Sequence, residues 1–208
     1  MTTLVLIAKE PIPGRVKTRL HPPFSLDQAA RLAAAAIDDT LRVLAELPAE
    51  RRVLFYQGSS VPGRAHGFDV LQQGTGGLDE RLGDLFDRCA GPTLLVGMDT
   101  PQLRAADLAG PCTAWDPGVD SWFGPAEDGG FWALGMRRPD GALIRGVAMS
   151  QRDTGARQLE RLQDAGHRVG ILSTLRDVDT VADAEAVAAL APKTTFAATF
   201  SAVSGGGR

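Results

Sequence analysis

Little in this sequence belongs to the chemistry of sulfur or imidazole. Cys89 and Cys112 are the only cysteines among 208 residues, and the three histidines, His21, His66 and His167, are scattered. Neither set has the close spacing of a zinc site, so the thiols are read as reduced and packed. No apolar run is long enough to cross a bilayer. The early TLVLIA stretch lacks the basic leader and small-residue cleavage site of a secretory signal. A cytoplasmic protein with no membrane contact is expected. Positive charge is also short. With a net charge of −3, nothing would drive counterion release from a phosphate polymer, so nucleic acid is not an expected partner. A glycine-rich phosphate cradle is missing too: the cationic segment after the first apolar run holds one glycine, Gly14.

What is present is ordinary globular composition, 44% hydrophobic and 23% charged, in a chain long enough for one sizeable core. Leu4–Ala8 is continuously apolar, as in a strand buried on both faces. Ser25-Leu26-Asp27-Gln28 is a capping box that opens a helix, with apolar residues at Leu26, Ala29, Ala33, Ile37, Leu41 and Leu44. Further strands are expected at 53–56, 68–71, 93–97, 121–123, 131–136 and 168–172. Helices are expected over 78–89, 104–114 (broken by Pro111), 152–165 and from Thr180 to before Pro192. This alternation predicts an α/β protein with a mainly parallel sheet and helices on both faces. One domain over 1–192 is expected. The Thr-, Ala-, Ser- and Gly-rich stretch 193–208 has no periodicity and reads as a disordered tail.

In such sheets ligands sit beyond the carboxyl ends of the strands. Three segments there carry suitable chemistry. The first is AKEPIPGRVKTRL, where Pro11, Pro13 and Gly14 stiffen and bend a loop that presents Lys9, Arg15, Lys17 and Arg19. Arginine grips phosphate bidentately and lysine adds a point charge; a solvated charged loop is the plain alternative. The second is Asp99, a hard carboxylate directly after an apolar strand, suited to magnesium or manganese shared with phosphates, or else part of an Asp-Thr-Pro turn. The third is Asp177-Val178-Asp179, whose carboxylates point the same way in extended chain, although Asp179 or Thr180 also suits a helix cap. The Gly124–Gly130 segment offers Glu127, Asp128, Gly129 and Gly130 to a ligand, or forms a hairpin turn. Gly74–Arg81 reads as a ligand loop or a helix start. Trp115, Trp122 and Trp132 read as packing residues.

Taken in order, AKEPIPGRVKTRL, GGLDERLGDLF, GMDTPQL, GPAEDGGFWALGM and RDVDTVAD resemble a bacterial family of glycosyltransferase A-type proteins, the radical-SAM/selenodomain-associated transferases. The resemblance spans about 1–192. It implies a three-layer α/β/α, Rossmann-like nucleotide-diphospho-sugar transferase fold, with the 2-phospholactate and molybdenum-cofactor guanylyltransferases among its relatives. The loop departs from well-characterised nucleotidyltransferases in lacking their glycine-rich opening. Carried over, the resemblance makes Lys17 and Arg15 catalytic and Asp99 and Asp179 ligands of Mg2+ or Mn2+. Lys9, Pro13, Gly14 and Arg19 would contact nucleotide phosphates; Gly76, Gly77 and Arg81 would flank the base; Asp128, Gly129 and Gly130 would line the acceptor side. The expected reaction is nucleotidyl transfer from a nucleoside triphosphate to a small phosphorylated or hydroxyl acceptor, releasing pyrophosphate. Glycosyl transfer from a nucleotide sugar is the alternative on the same scaffold, and non-catalytic nucleotide binding is the third.

Overall fold

The computed structural model describes residues 1–113 and 115–205. Its centre is a seven-stranded sheet of order β3-β2-β1-β4-β6-β5-β7. The strands are β1 Thr3–Lys9, β2 Arg51–Gln57, β3 Asp69–Gln72, β4 Thr93–Val96, β5 Ser121–Pro125, β6 Phe131–Met136 and β7 Val169–Ile171. All pairings are parallel except those of β6, which runs against both β4 and β5. β1 lies between β2 and β4 and is buried on both faces. Leu4, Leu6 and Ala8 join the core under α1 (Leu26–Glu46), while Val5 joins the opposite core with α2 (Leu78–Asp87) and α4 (Thr154–Asp164). This gives three layers. The helix expected over 104–114 is a 3-10 turn, Ala105–Leu108, leading into the short α3 Ala109–Thr113; Pro111, expected to break it, sits inside α3, and Ala114 lies outside the described residues.

The capping box at Ser25 and Gln28 starts α1, as the sequence suggests. This helix is buried on two sides. Ala30, Ala33, Ile37, Leu41 and Leu44 face the sheet, and Ala29, Leu32 and Ala36 face a third apolar cluster with α5 (Val181–Leu190) and α6 (Thr195–Gly205).

That third cluster corrects one expectation. The stretch after Lys193, read as a disordered tail, forms α6, Thr195–Gly205. Phe196 is 1% exposed and packs with Leu32 and Val203. The buried Asp39 of α1 accepts the backbone N–H groups of Thr195 (2.9 Å) and Phe196 (2.7 Å), satisfying two orphan donors at the start of α6. The helix docks through small side chains and two phenylalanines, so no amphipathic stripe marks it. Residues 206–208 of the expected tail lie outside the described residues.

Candidate functional site

A cleft of about 1160 Å³ opens along the sheet edge where β1, β4, β5 and β7 end and β6 begins. It is bordered by the cationic loop, Met98-Asp99, residues 127–132, residues 149–152 and the Asp177–Asp179 segment.

The loop after β1 is pinned at two residues. Val16 and Leu20 are buried, and Arg15, Lys17 and Arg19 beside them line the cleft. At Lys17 the backbone is left-handed (φ 47°, ψ 36°), a conformation disfavoured for a side-chain-bearing residue and found where surrounding structure imposes it. Its side chain is 8% exposed, and its ammonium lies 2.5 Å from Asp99 Oδ1 and 3.1 Å from Asp179 Oδ1. Burial pulls the Lys17 ammonium down, but Asp99 and Asp179 outweigh it and raise its pKa above the usual lysine value. Arg19 Nη1 adds a 3.3 Å contact to Asp179 Oδ2.

The facing wall is tied to β4. Val178, buried between the two cleft-lining aspartates, donates its N–H to the Asp99 carbonyl (2.9 Å). Gln102 Nε2 reaches the Arg176 carbonyl at 2.7 Å. The helix cap next door is made by Thr180 and Asp183, which leaves the Asp179 carboxylate to Lys17 and Arg19. Asp177 lines the cleft with Oδ1 buried and unpartnered. Burial, then the charges of Asp99 and Asp128, push its carboxyl up to about 7 against the pull of Lys17.

The β5–β6 hairpin supplies the next wall. Asp128 lines the cleft and accepts the Gly130 N–H at 2.8 Å. Gly129 (φ 91°) has no room for a side chain, because a Cβ would collide with the Arg152 carbonyl. The neighbouring Glu127 pairs with Arg176 at 2.7 Å. On the β2–β3 side, Gln73 donates to the Ala8 and Phe55 carbonyls, both at 3.0 Å, and accepts from Arg81 at 2.5 Å.

Lys9, Arg15, Lys17, Arg19, Arg81, Asp99, Asp128, Gly130 and Asp179 therefore border one cleft. Pro13, Gly14, Gly76, Gly77 and Gly129, expected to contact substrate, are not among its lining residues. They shape its surroundings instead. Gly14 takes φ 75° in the turn that precedes Arg15, and Gly76 and Gly77 precede α2, where Glu80 accepts the Gly77 N–H. Gln73, Ser150 and Arg152 are cleft residues that the sequence does not single out as ligand contacts, and Asp177 of the Asp-Val-Asp segment joins them there. Asp177 is within reach of the Asp-x-Asp alternation; the other three follow from tertiary packing.

The sheet order, the single reversed strand and the cleft at the strand ends define a glycosyltransferase A-type, nucleotide-diphospho-sugar transferase fold. The chain matches the crystal structure of a Desulfovibrio desulfuricans G20 protein provisionally named a nucleotide-diphospho-sugar transferase. The TM-score is 0.82 at 25% identity, over 96% of this chain and 92% of that one. The same fold, at 16% identity and TM-score 0.56, is seen in 2-C-methyl-D-erythritol 4-phosphate cytidylyltransferase from Thermus thermophilus, over 92% of this chain and 100% of that one. Glucosyl-3-phosphoglycerate synthase from Mycobacterium tuberculosis, crystallised with Mn2+, UDP and glucosyl-3-phosphoglycerate, matches at 11% identity and TM-score 0.54, over 98% of this chain and 80% of that one. The chain belongs to the family described as "Uncharacterized protein conserved in bacteria (DUF2064)", whose model matches residues 30–151. No curated protein matches the sequence.

Proposed function

We propose that the protein is a divalent-metal-dependent transferase acting on a nucleotide. Its reaction is nucleotidyl transfer: an acceptor phosphate or hydroxyl attacks the α-phosphorus of a nucleoside triphosphate, and pyrophosphate leaves. The observation that carries this reading is the cationic loop, with Arg15, Lys17 and Arg19 opposite the Asp99 carboxylate in one cleft. Glycosyl transfer would give those cations less to do.

The carboxylates fit a hard cation. Asp99 and Asp179 converge on a position that already attracts one ammonium, and Asp177 adds an unpartnered carboxyl oxygen to the same cleft. Among the described residues no three metal-binding side chains cluster closely enough to form a complete site, so substrate phosphates would supply the remaining ligands. Asp99 and Asp179 would hold Mg2+ or Mn2+, which when bound supplies charge neutralisation for the phosphates.

Lys9 and Arg15 are exposed and form no ion pair among the described residues, which leaves them free for the outer phosphates. Lys17 stands where negative charge would grow as pyrophosphate departs, so its role is electrostatic and needs no covalent intermediate. Arg81, with Gly76 and Gly77 shaping its loop, belongs to the base side. Asp128, backed by Gly129 and Gly130, belongs to the acceptor side.

The likeness to a provisionally named nucleotide-diphospho-sugar transferase favours a second reading, glycosyl transfer from a nucleotide sugar. A thermal-shift screen of nucleoside triphosphates and nucleotide sugars, with and without Mg2+, tests the shared part, because a ligand of the native state raises its midpoint. Product analysis separates the two. Nucleotidyl transfer releases pyrophosphate, and Lys17→Ala should cut its rate by about a hundredfold, the usual cost of one transition-state contact. Release of nucleoside diphosphate, with Lys17→Ala as active as the parent, would leave glycosyl transfer.

A further inference from the structure

One cation in the cleft stands apart from the nucleotide loop. Arg152 lines the cleft with Met149, Ser150 and Gln151, on the side of the β5–β6 hairpin. In the sheet, β4 separates that hairpin from β1 and its cationic loop. Arg152 is exposed and makes no ion pair among the described residues. The carboxylate next to it, Asp153, is taken by Arg157 at 2.7 Å.

The position of Arg152 is built. Gly129 gives up its side-chain space to the Arg152 carbonyl, and a Cβ on Gly155 would in turn strike the Gly130 carbonyl. The Gly155 N–H donates to the Gly129 carbonyl at 2.8 Å. Thr154 closes the loop from within, accepting the Gln151 N–H (2.9 Å) and donating to the Ala148 carbonyl (2.8 Å). Ser150 is held at φ 59°. Apart from Lys17 it is the other non-glycine residue with positive φ among the described residues, and both border the cleft. Backbone strain of this kind persists where surrounding structure imposes it and gathers at ligand sites. The side chains of Ser150 and Gln151 have no hydrogen-bond partner among the described residues, so both can donate to a ligand.

We infer that Arg152, with Ser150 and Gln151, is the specificity site for an oxyanion on the acceptor, a phosphate monoester or a carboxylate held in addition to the group that reacts. The guanidinium fork matches either anion bidentately. This inference rests on the transferase reading for the meaning of the cleft, but its test is separable from it.

The test measures binding by calorimetry to the wild-type protein, Arg152→Ala, Arg152→Lys and Arg15→Ala. The probes are glycerol 3-phosphate, glycerate and glycerol as acceptor surrogates, and the four nucleoside triphosphates with Mg2+. The expected result is that at least one anionic surrogate binds the wild type and glycerol does not. Arg152→Ala should weaken that binding about tenfold, the worth of one charge-assisted hydrogen bond, and Arg152→Lys should restore part of it. Which anion binds distinguishes a phosphate from a carboxylate acceptor. The inference is overturned if neither anion binds, if Arg152→Ala binds it as the wild type does, or if Arg15→Ala loses it equally. Loss of nucleoside triphosphate binding in Arg152→Ala would also overturn it, by making Arg152 a nucleotide contact. Failure of every nucleotide to bind the wild type, with the anion result intact, would instead count against the transferase reading.

Discussion

A carboxyl group buried without a partner is a liability that folding alone gives no reason to keep. Asp177 is partly in that position, its Oδ1 buried with no hydrogen-bond partner among the described residues and its carboxyl pushed from an ordinary 3.8 up to about 7. Between those two values the folded chain holds a proton that the unfolded chain has released. The contribution of Asp177 to stability therefore falls as pH rises from about 4 through about 7, and stays low above it. Across that window the loss accrues at roughly 1.4 kcal/mol for each step of one in pH. Asp177→Asn removes the charge and should flatten this profile, raising the melting temperature by a few degrees at pH 8 and changing it little at pH 4. Calorimetric scans of both proteins across pH 4–8 check this; parallel profiles would show that Asp177 does not control the slope.

Among the elements, α6 has the widest reach. Its cluster contains Leu20 and Phe24 from the end of the cationic loop and Val178 from between Asp177 and Asp179. Phe200 meets Phe24 edge-on, with ring centroids 5.7 Å apart. The helix therefore supports two walls of the cleft from behind. Phe196→Ala should cost about 3–5 kcal/mol, as for a buried aromatic. Deleting residues 193–208 should cost more, because it also strands the Asp39 carboxylate, and it should weaken nucleotide binding as well. Urea unfolding of both variants measures this, and an unchanged midpoint for the deletion would show that α6 does not carry the load described. The regular elements were legible because strands such as 93–96 are continuously apolar and α1 announces itself with a capping box. α6 was not: its Ala-, Thr- and Ser-rich surface carries no stripe. The clue lay elsewhere, in Asp39 set among the alanines of a helix with a second apolar face.

For the molecule as a whole, the cleft draws on both ends of the chain and its middle. Lys17, Asp99, Arg152 and Asp179 are brought together only when the central sheet is complete. A nucleoside triphosphate with Mg2+ should thus slow amide exchange together in residues 9–20, 98–101 and 177–180, measured by mass spectrometry. Protection confined to one of these segments would count against a shared site. The parts of the site that follow parallel strands were readable, since strand ends are where such sheets bind ligands. Arg152 was not readable, because it reaches the cleft through the packing of Gly129 against its own backbone. The reversed direction of β6 was legible only as one of two readings of Gly124–Gly130, the hairpin turn that Asp128-Gly129-Gly130 favours.

That reversal has a consequence for how such a protein can vary. Because β6 runs backward, residues 126–130 cross the cleft rim as a tight tip between adjacent strands, with no helix to absorb a change in length. The bond from Gly155 to Gly129 hitches the start of α4 to that tip. One inserted or deleted residue there would shift Arg152 while leaving β1 and the cationic loop undisturbed. Under the transferase reading, the length of this tip sets where Arg152 stands in the cleft, and a change in that length is expected to alter which acceptor fits.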